Sequence, residues 1–174
     1  MDPMSLMITS SARTVLREMT VDDAPFIRDL LNQPSFLRYI GDREVRTADD
    51  ATRIIESRYR QSYRDHGSGL WVVQRAENGV PMGICGFVRR DVLPHPDLGF
   101  ALLPEFEGHG LACEAAEAAL AYARSTLGFS HVLAIATKDN TRSLQLLHRL
   151  GFRADGEVTM PGDAVPIARL ILDL

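Results

Sequence analysis

A Gly-x-Gly turn between an apolar run and an Ala-rich run constrains this chain more than any other feature. The run from Asp97 to Leu103 reads as a strand, and Gly108-His109-Gly110 follows it. The residues after the turn, Leu111-Ala112-Cys113-Glu114-Ala115, open a helix. The first N–H groups of a helix have no intrahelical partner, and the helix dipole makes that end partly positive. Glycine lets the backbone approach a ligand with no Cβ between them. A strand, a tight turn and a helix start in this order make an anion site, most naturally for phosphate or pyrophosphate. On these residues alone, a glycine pair that merely turns the chain remains the alternative.

Known phosphate loops narrow the choice. A Walker A loop needs Gly-Lys-Ser/Thr, and neither Gly108 nor Gly110 is followed by it. A dinucleotide fingerprint needs a third small residue, where Cys113 stands, and an acid about 20 positions further on. His131 lies near that spacing, and the turn sits past the middle of the chain. The third reading is a coenzyme A pyrophosphate loop, in which a strand parts from its neighbour before a helix begins.

With 174 residues the chain suits one domain with a sizeable core. A loose N-terminal tail is expected over 1–12 and a single domain over 13–174. At 45% hydrophobic and 24% charged residues the composition is that of an ordinary soluble globular protein. A net charge of −4 argues against a broad nucleic-acid face. No apolar run reaches membrane-span length, and the first residues lack the basic start of a signal peptide. Two cysteines, Cys85 and Cys113, form neither a metal spacing nor a disulfide framework, so no metal is expected. Free thiols fit a reducing cytoplasm.

Periodicity and turn residues predict the elements. Arg13 to Met19 reads as a strand, and Thr20 with Asp23 as a capping box. A short helix carries Ile27, Leu30 and Leu31, then 32–42 reads as irregular around Pro34. Thr47 to Arg64 reads as a second helix. Leu70 to Arg75 and Val80 to Arg89 read as strands joined by Glu77-Asn78-Gly79. The third helix is expected from about Gly108 to Leu127. Its buried stripe is Leu111, Ala115, Ala119 and Tyr122, with Glu114, Glu117 and Arg124 facing water. His131 to Thr137 reads as a buried strand, Asn140 to Leu150 as a helix, and Phe152 to Thr159 and Ala164 to Leu172 as closing strands. The order β-α-α-β-β-β-α-β-α-β-β is α/β with a mixed sheet.

At this point the chain resembles the GNAT family of N-acetyltransferases, in particular the branch with the ribosomal-protein N-acetyltransferases. The family's Gln/Arg-x-x-Gly-x-Gly/Ala motif corresponds to Glu105-Phe106-Glu107-Gly108-His109-Gly110. A second block, Asn140-Thr141-Arg142-Ser143 followed by Gly151-Phe152, matches that branch's Asn-x-x-Ser…Gly-Phe pattern. Asp22-Asp23-Ala24 and Leu31-Asn32-x-Pro34 also fit, and the element order agrees over about residues 13 to 173. Glu105 departs from the family's Gln or Arg, which leaves no side-chain role for that position but does not touch a backbone cradle.

The resemblance implies a mostly antiparallel sheet flanked by helices, acetyl-CoA as cofactor, and a primary amine as acceptor. The acceptor is a protein N-terminus or a small amine, and the protein a monomer or homodimer. Backbone amides over Glu107, Gly108, His109, Gly110, Leu111 and Ala112 are expected to hold the pyrophosphate. Leu102 and Leu103 are expected to pair with the pantetheine arm as a strand would, and an N–H there to face the thioester oxygen as it gains charge. The resemblance puts Asn140 on the pantetheine arm and Ser143 near the sulfur, as proton donor to the leaving thiolate. Helix capping is the plain alternative for both. The arriving amine must lose a proton before attack. Asp97 is the first candidate base, His95 the second and His131 the third. Cys113 has no His fixed near it in sequence, so a small helix residue is expected there and direct transfer without an acyl-enzyme is favoured. The alternative class is a CoA-binding regulatory module without catalysis.

Overall fold

The computed structural model describes residues 5–174. Its sheet has eight strands in the order β1-β2-β3-β4-β5-β6-β8-β7. β3 (Leu70–Arg75) and β4 (Pro81–Val88) are the hairpin that Glu77-Asn78-Gly79 predicts. Gly79 takes φ +73°, and its N–H donates to the Arg75 carbonyl at 2.8 Å. β5 (Asp97–Leu102) returns antiparallel to β4. The chain then crosses through α5 (Leu111–Tyr122) to β6 (His131–Ala136), which lies parallel to β5. Only a crossover of this kind can set two strands parallel. α6 (Thr141–Arg149) leads to β7 (Arg153–Val158) and β8 (Ile167–Asp173), and β8 inserts between β6 and β7. The result is the mixed, mostly antiparallel α/β sheet expected.

Three expectations are corrected. The 1–12 stretch is not loose throughout, because Met7–Ser10 forms β1 and pairs antiparallel with β2 (Thr14–Arg17). Ile8 packs on the main core, which the short polar turn between the two strands allows. Residues 1–4 lie outside the described residues. Pro34 starts a helix, α2 (Pro34–Tyr39), where irregular chain was expected. A proline at the first helical position gives up an N–H that has no partner anyway. Third, α5 stays regular only to Tyr122 and widens into a π-helical turn over Ala123–Leu127 before Gly128, at φ +71°, stops it.

The sheet is covered on both faces. On one face α5 brings Ala115, Ala116 and Ala119, all fully buried, against Trp71, Met82 and Leu98. Alanine spacing lets this helix sit close to the strands. On the other face α1 (Ala24–Leu31) and α3 (Ala48–Ile54) pack Ile27, Leu30 and Ala51 over Val72 and Ile84. α3 starts on a reciprocal cap: Asp50 N–H donates to Thr47 Oγ1 at 3.0 Å, and Thr47 N–H donates to Asp50 Oδ2 at 3.1 Å. It continues through a π-helical segment, Ile55–Arg60, into α4 (Gln61–His66), close to the second helix expected. The strand residues that face α1 and α3, and those that face α5, alternate along β5, so this strand divides the two halves of the site.

Candidate active site

β5 and β6 part company after a single register pair, Asp97 with Leu133. There the Leu133 N–H donates to the Pro96 carbonyl at 2.9 Å. On the other side of β5, Leu103 N–H donates to the Met82 carbonyl of the β4 edge at 2.8 Å. Strand backbone groups alternate sides, so the peptide groups of Phe100 and Leu102 point into the opening between β5 and β6. Two glycines with left-handed angles stand at its mouth, Gly108 at φ +80° and Gly110 at φ +77°, with Gly110 as N-cap of α5. The Thr137 hydroxyl, just past the end of β6, is buried beside the Asp139 carboxylate, which it helps hold below the ordinary range. Open strand edges and a bare helix start both call for a long polar ligand. They line one cavity of about 1330 Å³.

Most of the expected site residues line this cavity: Leu102, Glu107, Gly108, Gly110, Leu111, Ala112, Asn140, Ser143 and Asp97. Two do not. Leu103 spends its N–H on Met82, and its carbonyl accepts from Phe106 N–H at 3.0 Å, so neither group is left for a ligand. The β4 ladder takes the N–H, and the turn that follows at Pro104–Phe106 takes the carbonyl. His109 is exposed at the turn's outer side, and its carbonyl accepts from the Arg13 guanidinium at 3.0 Å. Glu107 lines the cavity with its carboxylate engaged by Arg142 at 2.8 Å. Asn140 caps α6, its Oδ1 accepting from Ser143 N–H at 3.3 Å. That bond uses the Ser143 backbone and leaves the Ser143 hydroxyl without a partner at the cavity wall.

The family described as an acetyltransferase (GNAT) domain matches residues 13–153. The chain belongs to the GNAT family. As a GNAT enzyme it is an acetyl-CoA-dependent N-acetyltransferase, and the β5–β6 opening fits the extended cofactor. YoaA of Bacillus subtilis, an uncharacterized N-acetyltransferase, is 26% identical over 150 residues, covering 86% of this chain and 84% of the relative. The spermidine N(1)-acetyltransferase of Escherichia coli K12 is also 26% identical over 150 residues, covering 85% and 77%. The fold is shared with RimL, a ribosomal L7/L12 α-N-protein acetyltransferase solved in complex with coenzyme A. That structure matches with a TM-score of 0.79 at 17% identity, over 97% of this chain and 98% of RimL.

In this GNAT chain the two faces of β5 carry different chemistry. Leu98, Phe100 and Leu102 pack toward α5, while Ala101 packs toward the α1–α3 face. By the same alternation Asp97 and Gly99 belong with Ala101. Asp97 is only 2% exposed and receives the Arg90 Nε–H at 3.0 Å. Burial pushes its carboxyl above the ordinary range, against the pull of Arg90. His95 and His131 lie away from the cavity: their ring centroids are 5.0 Å apart with the planes tilted by 50°, and His131 Nδ1 meets Asp173 Oδ1 at 2.8 Å. Cys113 is half-buried at the cavity wall, and burial together with Glu117 pushes its thiol up, away from the reactive thiolate. Cys85 is inert in the core, pushed up to about 12 by burial.

Sequence reasoning missed several residues. Glu114 does not simply face water. It accepts from Arg13 Nε at 2.8 Å and from the Arg13 backbone N–H at 2.8 Å, which ties the turn after β1 to the first turn of α5. Arg13 in turn grips the His109 carbonyl, so one side chain steadies the whole Gly-x-Gly turn. Thr137 ends an apolar strand and carries no motif. Arg43, Arg58, Tyr39 and Tyr59 also line the cavity, from a loop and helices with no recognisable spacing.

Proposed function

We propose that this GNAT acetyltransferase moves the acetyl group directly to a primary amine, a protein N-terminus or a small amine, with both substrates bound at once. One observation carries the reading: Ser143 and Asp97 line the same cavity, one beside the β5–β6 opening and the other on the opposite face of β5. When bound, acetyl-CoA supplies the activated thioester. The amides of Gly108 and of Gly110 to Ala112 would hold its pyrophosphate, and the Phe100 and Leu102 peptide groups would pair with its pantetheine amides. Thr137 adds a hydroxyl to the same channel.

Asp97 takes the proton from the arriving ammonium. Its raised carboxyl is a better match to that task than an exposed aspartate, and the Arg90 bond holds it in place. Ser143 would pass its hydroxyl proton to the departing sulfur, which leaves as the free thiol, and would regain a proton from solvent. The high thiol of Cys113 argues for direct transfer over an acyl-enzyme.

A thermal shift panel followed by acetyl transfer tests the reading. Acetyl-CoA at about 100 times its Kd is expected to add roughly 2.7 kcal/mol of stability, and ATP or NAD none. Peptides with free N-termini and small amines are then assayed side by side. A stabilisation by ATP or NAD without one by CoA would sink the cofactor placement.

A further inference from the structure

Arg43, Arg58 and Arg90 line the acceptor half of the cavity, approaching from the α2–α3 loop, the π-helical segment and the end of β4. Arg90 is engaged by Asp97. Arg43 and Arg58 make no hydrogen bond or ion pair with any described residue. Arg43 is half-buried, and the charges acting on it from Arg58 and Arg90 repel it; burial first, then these neighbours, hold its guanidinium below the ordinary range. Water is thus partly stripped from a cation that has no anion.

The loop that presents Arg43 is held in place rather than loose. Arg46 pairs with Asp42 at 2.5 Å across it, and the Asn32 amide donates to the Val45 carbonyl at 2.6 Å. Val45 is buried beside them. Glu44, next to Arg43, takes φ +58°, a left-handed angle that side-chain-bearing residues rarely adopt. Backbone strain of this kind persists where the surroundings over-determine it, and it clusters at ligand clamps. The carboxylates around the cavity do not answer Arg43 and Arg58. Asp42 is spent on Arg46, Asp97 on Arg90, Asp139 on Arg38 and Glu107 on Arg142. Asp91 and Asp163 lie on the exposed rim.

From this geometry we infer that the acceptor is an amine that also carries a carboxylate, which Arg43 and Arg58 bind. The guanidinium fork matches a carboxylate through paired N–H donors, and desolvation strengthens the match. Tyr39 and Tyr59 wall the same space. Tyr59 is buried with its hydroxyl unengaged, a further donor toward the carboxylate. A polycationic amine meets the same arginines as repulsion. The carboxylate belongs either to a free amino acid or to an acidic residue near a peptide N-terminus. The inference rests on the acetyltransferase reading and deepens it.

The test measures kcat/KM with four acceptors: glutamate, a peptide with acidic residues after its N-terminus, the same peptide with amides in their place, and spermidine. CoA binding is measured separately by calorimetry. The parent protein is expected to favour one of the acidic acceptors over spermidine by tenfold or more, about the worth of one charge-assisted hydrogen bond. Which acidic acceptor wins identifies the source of the carboxylate. Arg43→Gln with Arg58→Gln should lower kcat/KM for the acidic acceptor about tenfold to a hundredfold, with the neutral peptide changed less than about threefold and the Kd for CoA unchanged. Arg58→Gln alone, at an exposed position, gives the same direction should the double variant not fold. Spermidine as the best acceptor, or an unchanged acidic-to-neutral ratio in the variants, overturns the inference while leaving the acetyltransferase standing. A parent protein that neither binds CoA nor acetylates any amine overturns the reading beneath it as well.

Discussion

On the α5 side of β5 the cavity is walled by peptide groups: the Phe100 and Leu102 backbone, the glycine turn and the start of α5. On the α1–α3 side it is walled by side chains: Asp97, Arg90, Arg43, Arg58 and two tyrosines. In the proposed function the first half meets the cofactor, which is the same for every member of the family. Backbone donors serve it, because they come with the fold and tolerate almost any side chain. In the same proposal the second half meets the acceptor, and side chains can be exchanged there without disturbing the strands. The proposed chemistry spans the border, with Asp97 on one wall and Ser143 on the other.

The largest effect that would break this division is at Asp97. Asp97→Asn is expected to lower kcat/KM by about 10²–10⁴-fold, the range of a positioned acid–base group. Its amide oxygen still accepts from Arg90, so CoA affinity should hold. The sign of the stability change separates function from structure. The folded carboxyl lies above its unfolded value, so the folded state loses stability as pH rises from the ordinary carboxylate range through the folded pKa. The variant should therefore match or exceed the parent Tm at neutral pH, and this gain should vanish at pH below that range. A variant that unfolds but is fully active when folded would falsify the catalytic role.

Ser143→Ala sharpens the comparison from the cofactor wall. Turnover should fall by roughly tenfold to a hundredfold, the low end for an acid because a thiolate leaves readily and water substitutes. CoA affinity should stay nearly constant, since the cap bond from Asn140 uses the Ser143 backbone. Steady-state rates set beside calorimetry decide it, and a fully active variant would return Ser143 to a capping neighbour.

The smallest expected effect tests whether the cofactor wall is backbone in nature. Gly110→Val should weaken CoA binding about tenfold, while Glu105→Ala leaves it within about twofold. The cost at Gly110 is its φ of +77°, not crowding by protein, for a Cβ there would find only the Arg13 guanidinium, at 3.5 Å. Glu105 is exposed on the turn before the glycines and holds nothing. Equal affinities for the Gly110 variant and the parent would remove the cradle from this turn.

The sequence by itself determined most of the element order from β2 onward and the helix start at the glycines. These are local: alternation, turn residues and a helix cap are decided within a few neighbours. It overreached at Leu103 and His109, because adjacency to a motif does not tell which peptide groups are already bonded. Only the folded sheet shows Leu103 N–H committed to Met82 on the next strand. It also read β1 as loose, since four residues have too little pattern to declare a strand whose partner and core contact are non-local. The arginine wall, proposed for the acceptor, was decided by tertiary structure alone. Arg43, Arg58 and Arg90 are separated in sequence by 15 and 32 residues and share no spacing. They meet because α1–α4 fold over one face of β5, and a charge cluster assembled from three elements has no signature until those elements pack.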